Sequence, residues 1–151
     1  MNMNLERLLK ENLVKKQKPD FKQITQQVLR AEKDVQTAQA TIKTDKTWAI
    51  TIAYHSMIRA GRALMYSKGY LPTAKFTHKT IVEFTKDALG QELDTLVIRF
   101  ERLRKRRHEF IYESKNHVTD EEANAAIDTA NKITAEVKRL IRAANPQAEL
   151  F

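Results

Sequence analysis

Apolar positions along this chain recur every three or four residues, the period of an amphipathic α-helix. Residues 3–16 carry Leu5, Leu8, Leu9, Leu13 and Val14 as a short stripe that runs into the basic linker Lys15-Lys16-Gln17-Lys18-Pro19. Phe21, Ile24, Val28, Ala31, Val35, Ala38 and Ile42 then step by three and four, the narrow seam that a bundle helix turns to its neighbours. From Asp45, a capping residue, to Lys68, apolar residues cover most of the circumference. A helix of that kind belongs in the middle of its fold, with Trp48 expected in the core, and its small residues let neighbouring backbones come close. Gly69 and Pro72 end it. A shorter helix over about 77–89 stops at Gly90. The segment 91–113 shows Leu93, Leu96, Val97, Phe100, Leu103, Phe110 and Ile111 on one face, and the last helix opens on the capping box Thr119-Asp-Glu-Glu122. The expected architecture is all-α: four long helices and two short ones in one up-and-down bundle over 19–151, with 1–18 as a helical extension and linker.

Composition narrows the class. Gly and Pro number 3 each in 151 residues, too few for the reversals of a sandwich or barrel. The absence of cysteine removes disulfides, thiolate zinc sites and cysteine catalysis. Four histidines without His-Glu-x-x-His spacing argue against a metal, and three glycines cannot build a P-loop or dinucleotide cradle, so no cofactor is expected. The first residues lack the plan of a signal peptide, and the longest charge-free run, Thr47 to Ile58, is 12 residues, too short to cross a bilayer. A cytoplasmic protein without a membrane partner is the expectation.

Charge changes the picture most. Lys and Arg outnumber Asp and Glu by 27 to 19, a net +8, which favours an anionic partner such as RNA or a nucleotide. The excess is concentrated: Arg99, Arg102, Arg104, Lys105, Arg106 and Arg107 stand against Glu101 alone. Such a run is ordinarily a solvated helix face. On a helix, however, Arg104 and Arg107 fall inside the apolar sector, where a guanidinium is costly unless something polar or anionic meets it. His108 follows one turn after Arg104 and one turn before Tyr112. Guanidiniums beside an imidazole disfavour its cation and keep it able to accept a proton. Arginine plus histidine is a minimal set for cutting RNA without metal, because the 2′-hydroxyl supplies the nucleophile.

On the central helix His55, Arg59, Arg62 and Tyr66 sit at i, i+4, i+7 and i+11 as its one polar stripe. Either it is a solvated outer face or it adds phosphate contacts beside His108. His78, after Thr77, is read as helping to begin a short helix, and His117, in the loop before the last helix, receives no role.

Several of these elements resemble the HEPN domain family. The stretch from Trp48 to Tyr70 is similar to the family's second helix, Thr77-His78-Lys79 to the start of the next, and Leu103-Arg104-Lys105-Arg106-Arg107-His108 through Tyr112 to its signature helix. The closing helix with Ala123, Ala126 and Ala130 also fits, so that the resemblance covers about residues 20–142. It implies an up-and-down bundle, a homodimer with signature helices facing across a two-fold, and metal-independent endoribonuclease activity of toxin or defence type. A nucleotidyltransferase-like antitoxin is the implied partner. The family motif is Arg, four to six residues, then His. Arg102 and His108 satisfy that count, with Leu103 after the Arg and Phe110 two after the His, while Arg104 has three residues between. On this resemblance Arg102, Arg104 and His108 are the catalytic candidates. Arg99, Lys105, Arg106, Arg107, Tyr112, Arg59 and Arg62 are the phosphate- or RNA-binding candidates. Two alternatives stand beside it: a non-catalytic module that binds phosphate or pairs with a nucleotidyltransferase, and a helical interaction protein.

Overall fold

A computed structural model describes residues 3–113 and 118–151. The order is α1 (Met3–Lys10), β1 (Val14–Lys16), α2 (Phe21–Thr41), α3 (Lys46–Ser67), β2 (Tyr70–Pro72), α4 (Thr77–Leu89), α5 (Asp94–Tyr112) and α6 (Asp120–Ala144), with short 3-10 turns at Gln91–Leu93 and Pro146–Ala148. The protein is an all-α helical bundle.

α3 packs against α2, α4, α5 and α6, the central place its apolar circumference predicts. The α2 seam is buried at Ile24, Val28, Ala31, Val35 and Ala38. Of the glycines, Gly61 is the one pressed by a neighbouring helix: an added Cβ would lie 2.6 Å from both Ile81 Cγ2 and Thr85 Oγ1 of α4. Caps fall where side-chain chemistry places them. Asp20 accepts from the Lys22 and Gln23 amides, Asp45 from the Trp48 amide at 2.9 Å, and Thr119 from the Glu122 amide at 3.0 Å. The Glu122 carboxylate does not close the box: it takes an ion pair with Arg106 at 2.7 Å, a charged partner on the neighbouring helix.

The first residues differ from their pattern. The stripe over 3–16 is helical only to Lys10; beyond Asn12, in the left-handed region at φ 59°, the chain turns extended. Val14, Lys15 and Lys16 pair antiparallel with Pro72, Leu71 and Tyr70. Helical spacing of apolar residues does not reveal a three-residue strand, because its pairing partner lies over fifty positions away. The ribbon is prolonged by the Gln17 amide on the Gly69 carbonyl and the Thr73 amide on the Leu13 carbonyl, both 2.9 Å. Leu8, Leu13 and Val14 are buried in the common core, and Arg7 of α1 pairs with Glu83 of α4.

Trp48 corrects a second expectation, for it is 58 % exposed. Seven residues separate it from His55, two helical turns, so it stands on the one side of α3 that the other helices leave open. The polar stripe and the tryptophan are the same stripe. Among the described residues no helix is long and apolar enough to cross a membrane.

Candidate nucleic-acid interface

The basic run on α5 is divided by the helix into separate surfaces. Arg99, Arg102, Lys105 and Arg106 turn toward α6 and line a groove of about 440 Å³ with Ile50, Leu103, Glu122, Ala125, Ala126 and Thr129. Arg106 is held there by Glu109 at 3.2 Å and Glu122 at 2.7 Å. Arg104 and Arg107 turn instead toward the start of α4, where they line a cleft of about 490 Å³ with Ala74, Phe76, Thr77, His78 and Lys79. His108 and Tyr112 form an exposed ring pair, 5.1 Å between centroids. The structure therefore keeps Arg104 and His108 one turn apart on one side and puts Arg102 on another. Six residues at about 100° each leave Arg102 roughly 240° around the helix from His108, whatever the residue count.

Inside the apolar sector the two arginines find different partners. Arg104 donates to the Glu101 carboxylate, 2.7 Å from Nε and 2.6 Å from Nη2, so its charge is matched. Arg107 is met by a neutral group: its Nη1 lies 2.8 Å from His78 Nδ1. The same Nη1 lies 3.3 Å from His78 Nε2, so the guanidinium, which has no acceptor, is set against the neutral ring as a whole. The Tyr54 hydroxyl is hydrogen-bonded to the same Nδ1 at 2.7 Å. Tyr54 is fully buried, packed edge-on against Phe100 and Phe110 with centroids 6.0 and 6.1 Å away. Burial raises its pKa, with Arg107 opposing, and so keeps the hydroxyl protonated.

Two imidazoles are held neutral here. Burial first, then the Arg107 charge, brings His78 down to about 4. His55 is lowered by loss of surrounding water, then by Arg107 and Arg59. The rings of His55 and His78 stand 6.4 Å apart, edge to face. His55 opens a third surface, a cleft of about 670 Å³ between α2 and α3 that Arg59, Arg62 and Tyr66 line with Gln17, Gln23, Gln27, Ile58, Ala63 and Leu71. Arg59 is fixed by the buried Asp34 at 3.1 Å and by the Gln27 amide oxygen at 3.0 Å. The α3 stripe is thus the floor of the α2–α3 cleft from Tyr66, past Arg62 and Arg59, to His55, whose ring faces that of His78 in the α4–α5 cleft.

His78 stands in the first turn of a short helix, as its reading has it, and does more than begin that helix. It is the second residue of α4, whose cap position is taken by Phe76 in the left-handed region with no side-chain cap. Its work is on Arg107 and Tyr54. Thr77-His78-Lys79 was visible as a motif, but the contact to Arg107 spans 29 positions and carries no sequence period. Gln23 and Gln27 likewise gave no signal, since exposed glutamines on a helix are ordinary. His117 lies outside the described residues.

A model of the HEPN domain family matches residues 5–140, nine-tenths of the chain. This protein belongs to the HEPN domain family. Comparison with curated protein sequences returned no significant match.

Proposed function

We propose that the protein binds single-stranded RNA by its phosphates at the α4–α5 cleft. One observation carries this reading: Arg107 is met by the neutral His78 ring, itself hydrogen-bonded to Tyr54, and among the described residues by no carboxylate. Its direction is set while its charge stays available, and Arg104 and Lys79 line the same cleft. An anion entering there meets a preorganised guanidinium, the arrangement that favours phosphate. Binding of single-stranded RNA should weaken with salt, log K falling by about 0.7 per log unit of salt for each phosphate neutralised. Arg107→Ala should lower the affinity and flatten that slope by about 0.7. Salt-independent binding, or an unchanged slope in the variant, contradicts the reading.

Metal-independent cleavage is a second reading, favoured by the placement of His108 one turn from Arg104 and by the neutral imidazoles beside Arg107. His108 is exposed and reaches solvent-borne substrate. The two readings separate in one assay. RNA incubated with the protein in chelator is cut by wild type and spared by His108→Ala if the second holds. Uncut RNA, or equal cutting by the variant, leaves binding alone.

A further inference from the structure

The residue that leads into α4 is held in a shape its own side chain disfavours. Phe76 has φ 50° and ψ 42°, in the left-handed region. A Cβ there crowds the following carbonyl, so glycine and asparagine adopt it readily and a bulky residue is an outlier. Asn12, at φ 59°, is the ordinary case. Burying the ring would offset the cost, yet Phe76 is 64 % exposed. Hydrogen bonds on both sides impose the conformation instead. Thr73 donates from its amide to the Leu13 carbonyl and from its hydroxyl to the Asn12 carbonyl, both at 2.9 Å. Thr77 Oγ1 donates back to the Thr73 carbonyl at 2.7 Å, and the Thr80 amide donates to the Phe76 carbonyl at 3.0 Å. The short segment from Thr73 to Thr77 is thus pinned at each end, with an aromatic ring kept in solvent between.

We infer that Phe76 is a stacking platform for an unpaired RNA base whose phosphate lies on Arg107 and Arg104. Phe76 lines the α4–α5 cleft together with Lys79 and those two arginines, so ring and cations share one space. Lys75 Nζ stands over the ring, 5.7 Å from its centroid, and adds a further positive charge at the mouth. An aromatic face set among cations is how proteins hold single strands: the charges take the backbone and the ring takes a base. A volume of about 490 Å³ accommodates one nucleotide. Every base has a π face, so the platform accepts all four without preference. Backbone strain that no burial offsets, beside a charged cleft, is the kind of cost that binding surfaces carry. The inference rests on the phosphate-binding reading and adds a base contact to it.

Fluorescence anisotropy with two end-labelled strands of equal charge tests it: an adenosine decamer and an abasic ribose-phosphate decamer. Wild type should bind the adenosine strand about tenfold tighter, the gain of one stacked base. Phe76→Leu, apolar but without a π face, should erase that gain and leave the salt slope, which the cations set. Phe76→Trp should restore it. Phe76→Gly should lose the gain as well, yet melt no lower than wild type and about 3 °C above Phe76→Ala, because glycine alone relieves the left-handed backbone. Equal binding of both strands by wild type overturns the platform and leaves the phosphate reading intact. A gain that survives in Phe76→Leu and Phe76→Gly also overturns it, since the stacking then lies elsewhere. A clear fall of Tm in Phe76→Gly overturns it too, by making the ring a part of the fold. No binding of either strand removes both readings.

Discussion

Arg107 and His78 show how one contact sets the character of a site. A guanidinium opposite a carboxylate is neutralised, as Arg104 is by Glu101. A guanidinium opposite a neutral ring keeps its charge, and together with burial it imposes neutrality on the ring. That imposition is measurable as stability. The folded pKa of His78 is about 4 and that of His55 is also depressed, whereas in the unfolded chain both return to about 6.5. Between those values the unfolded chain binds more protons, so stability is full above about pH 6.5 and is lost as the pH falls toward 4. With solvent screening of these half-exposed rings, the loss is about 1 kcal/mol, a fall in Tm of about 3 °C. Thermal scans between pH 7.5 and 5, above the range where most carboxylates titrate, should show this slope. His78→Gln should reduce it, and an unchanged slope in that variant would place the proton uptake elsewhere.

At the scale of elements, the contact between α3 and α4 decides whether His78 meets Arg107 at all. α4 approaches α3 at Gly61 more closely than any side chain permits, with Ile81 Cγ2 and Thr85 Oγ1 both at 2.6 Å from an added methyl. Neither neighbour can yield easily: Ile81 and Thr85 are buried, and Thr85 Oγ1 donates to the Ile81 carbonyl at 2.8 Å. Gly61→Ala should therefore push α4 outward and lower stability by about 1–3 kcal/mol, read from urea unfolding. The gain in intrinsic helix propensity on replacing glycine, about 1 kcal/mol, works the other way and does not cover the overlap. Because α4 carries His78, RNA affinity should fall as well. A stable variant with wild-type affinity would mean that the helices slide without disturbing the site. The β1–β2 ribbon has a comparable positioning role on the other side, since it brings Gln17 and Leu71 to the rim of the α2–α3 cleft.

For the whole molecule, charge and exposed apolar area are the quantities that matter. The chain carries a net +8, and basic side chains of α3 and α5 line three separate clefts, so a polyanion meets more than one positive surface. On the outer side of α5, Ile98 is 50 % and Tyr112 73 % exposed, large apolar groups beside arginines on the helix that carries the site. We propose a homodimer in which the α5 faces meet. Light scattering at micromolar concentration should give about twice the mass of one chain, and Ile98→Glu should return it to one. A monomeric wild type would remove the dimer and leave the clefts of one chain to act alone.

How much of this was legible in the chain follows from the range of the interactions involved. Helix positions, the central place of α3 and the caps at Asp45 and Thr119 depend on residues within four positions of each other, and spacing encodes such contacts directly. The same locality exposed Arg104 and Arg107 as charges on an apolar face, together with the family resemblance that the match over 5–140 bears out. Tertiary structure decided the rest. It left Trp48 in solvent, paired β1 with β2 and gave Arg107 a neutral partner on α4. Each of these depends on which helix lies opposite which, across tens of residues, and on which partner satisfies a donor first. A linear pattern of apolar and polar positions records how much of a helix is covered, but not by what.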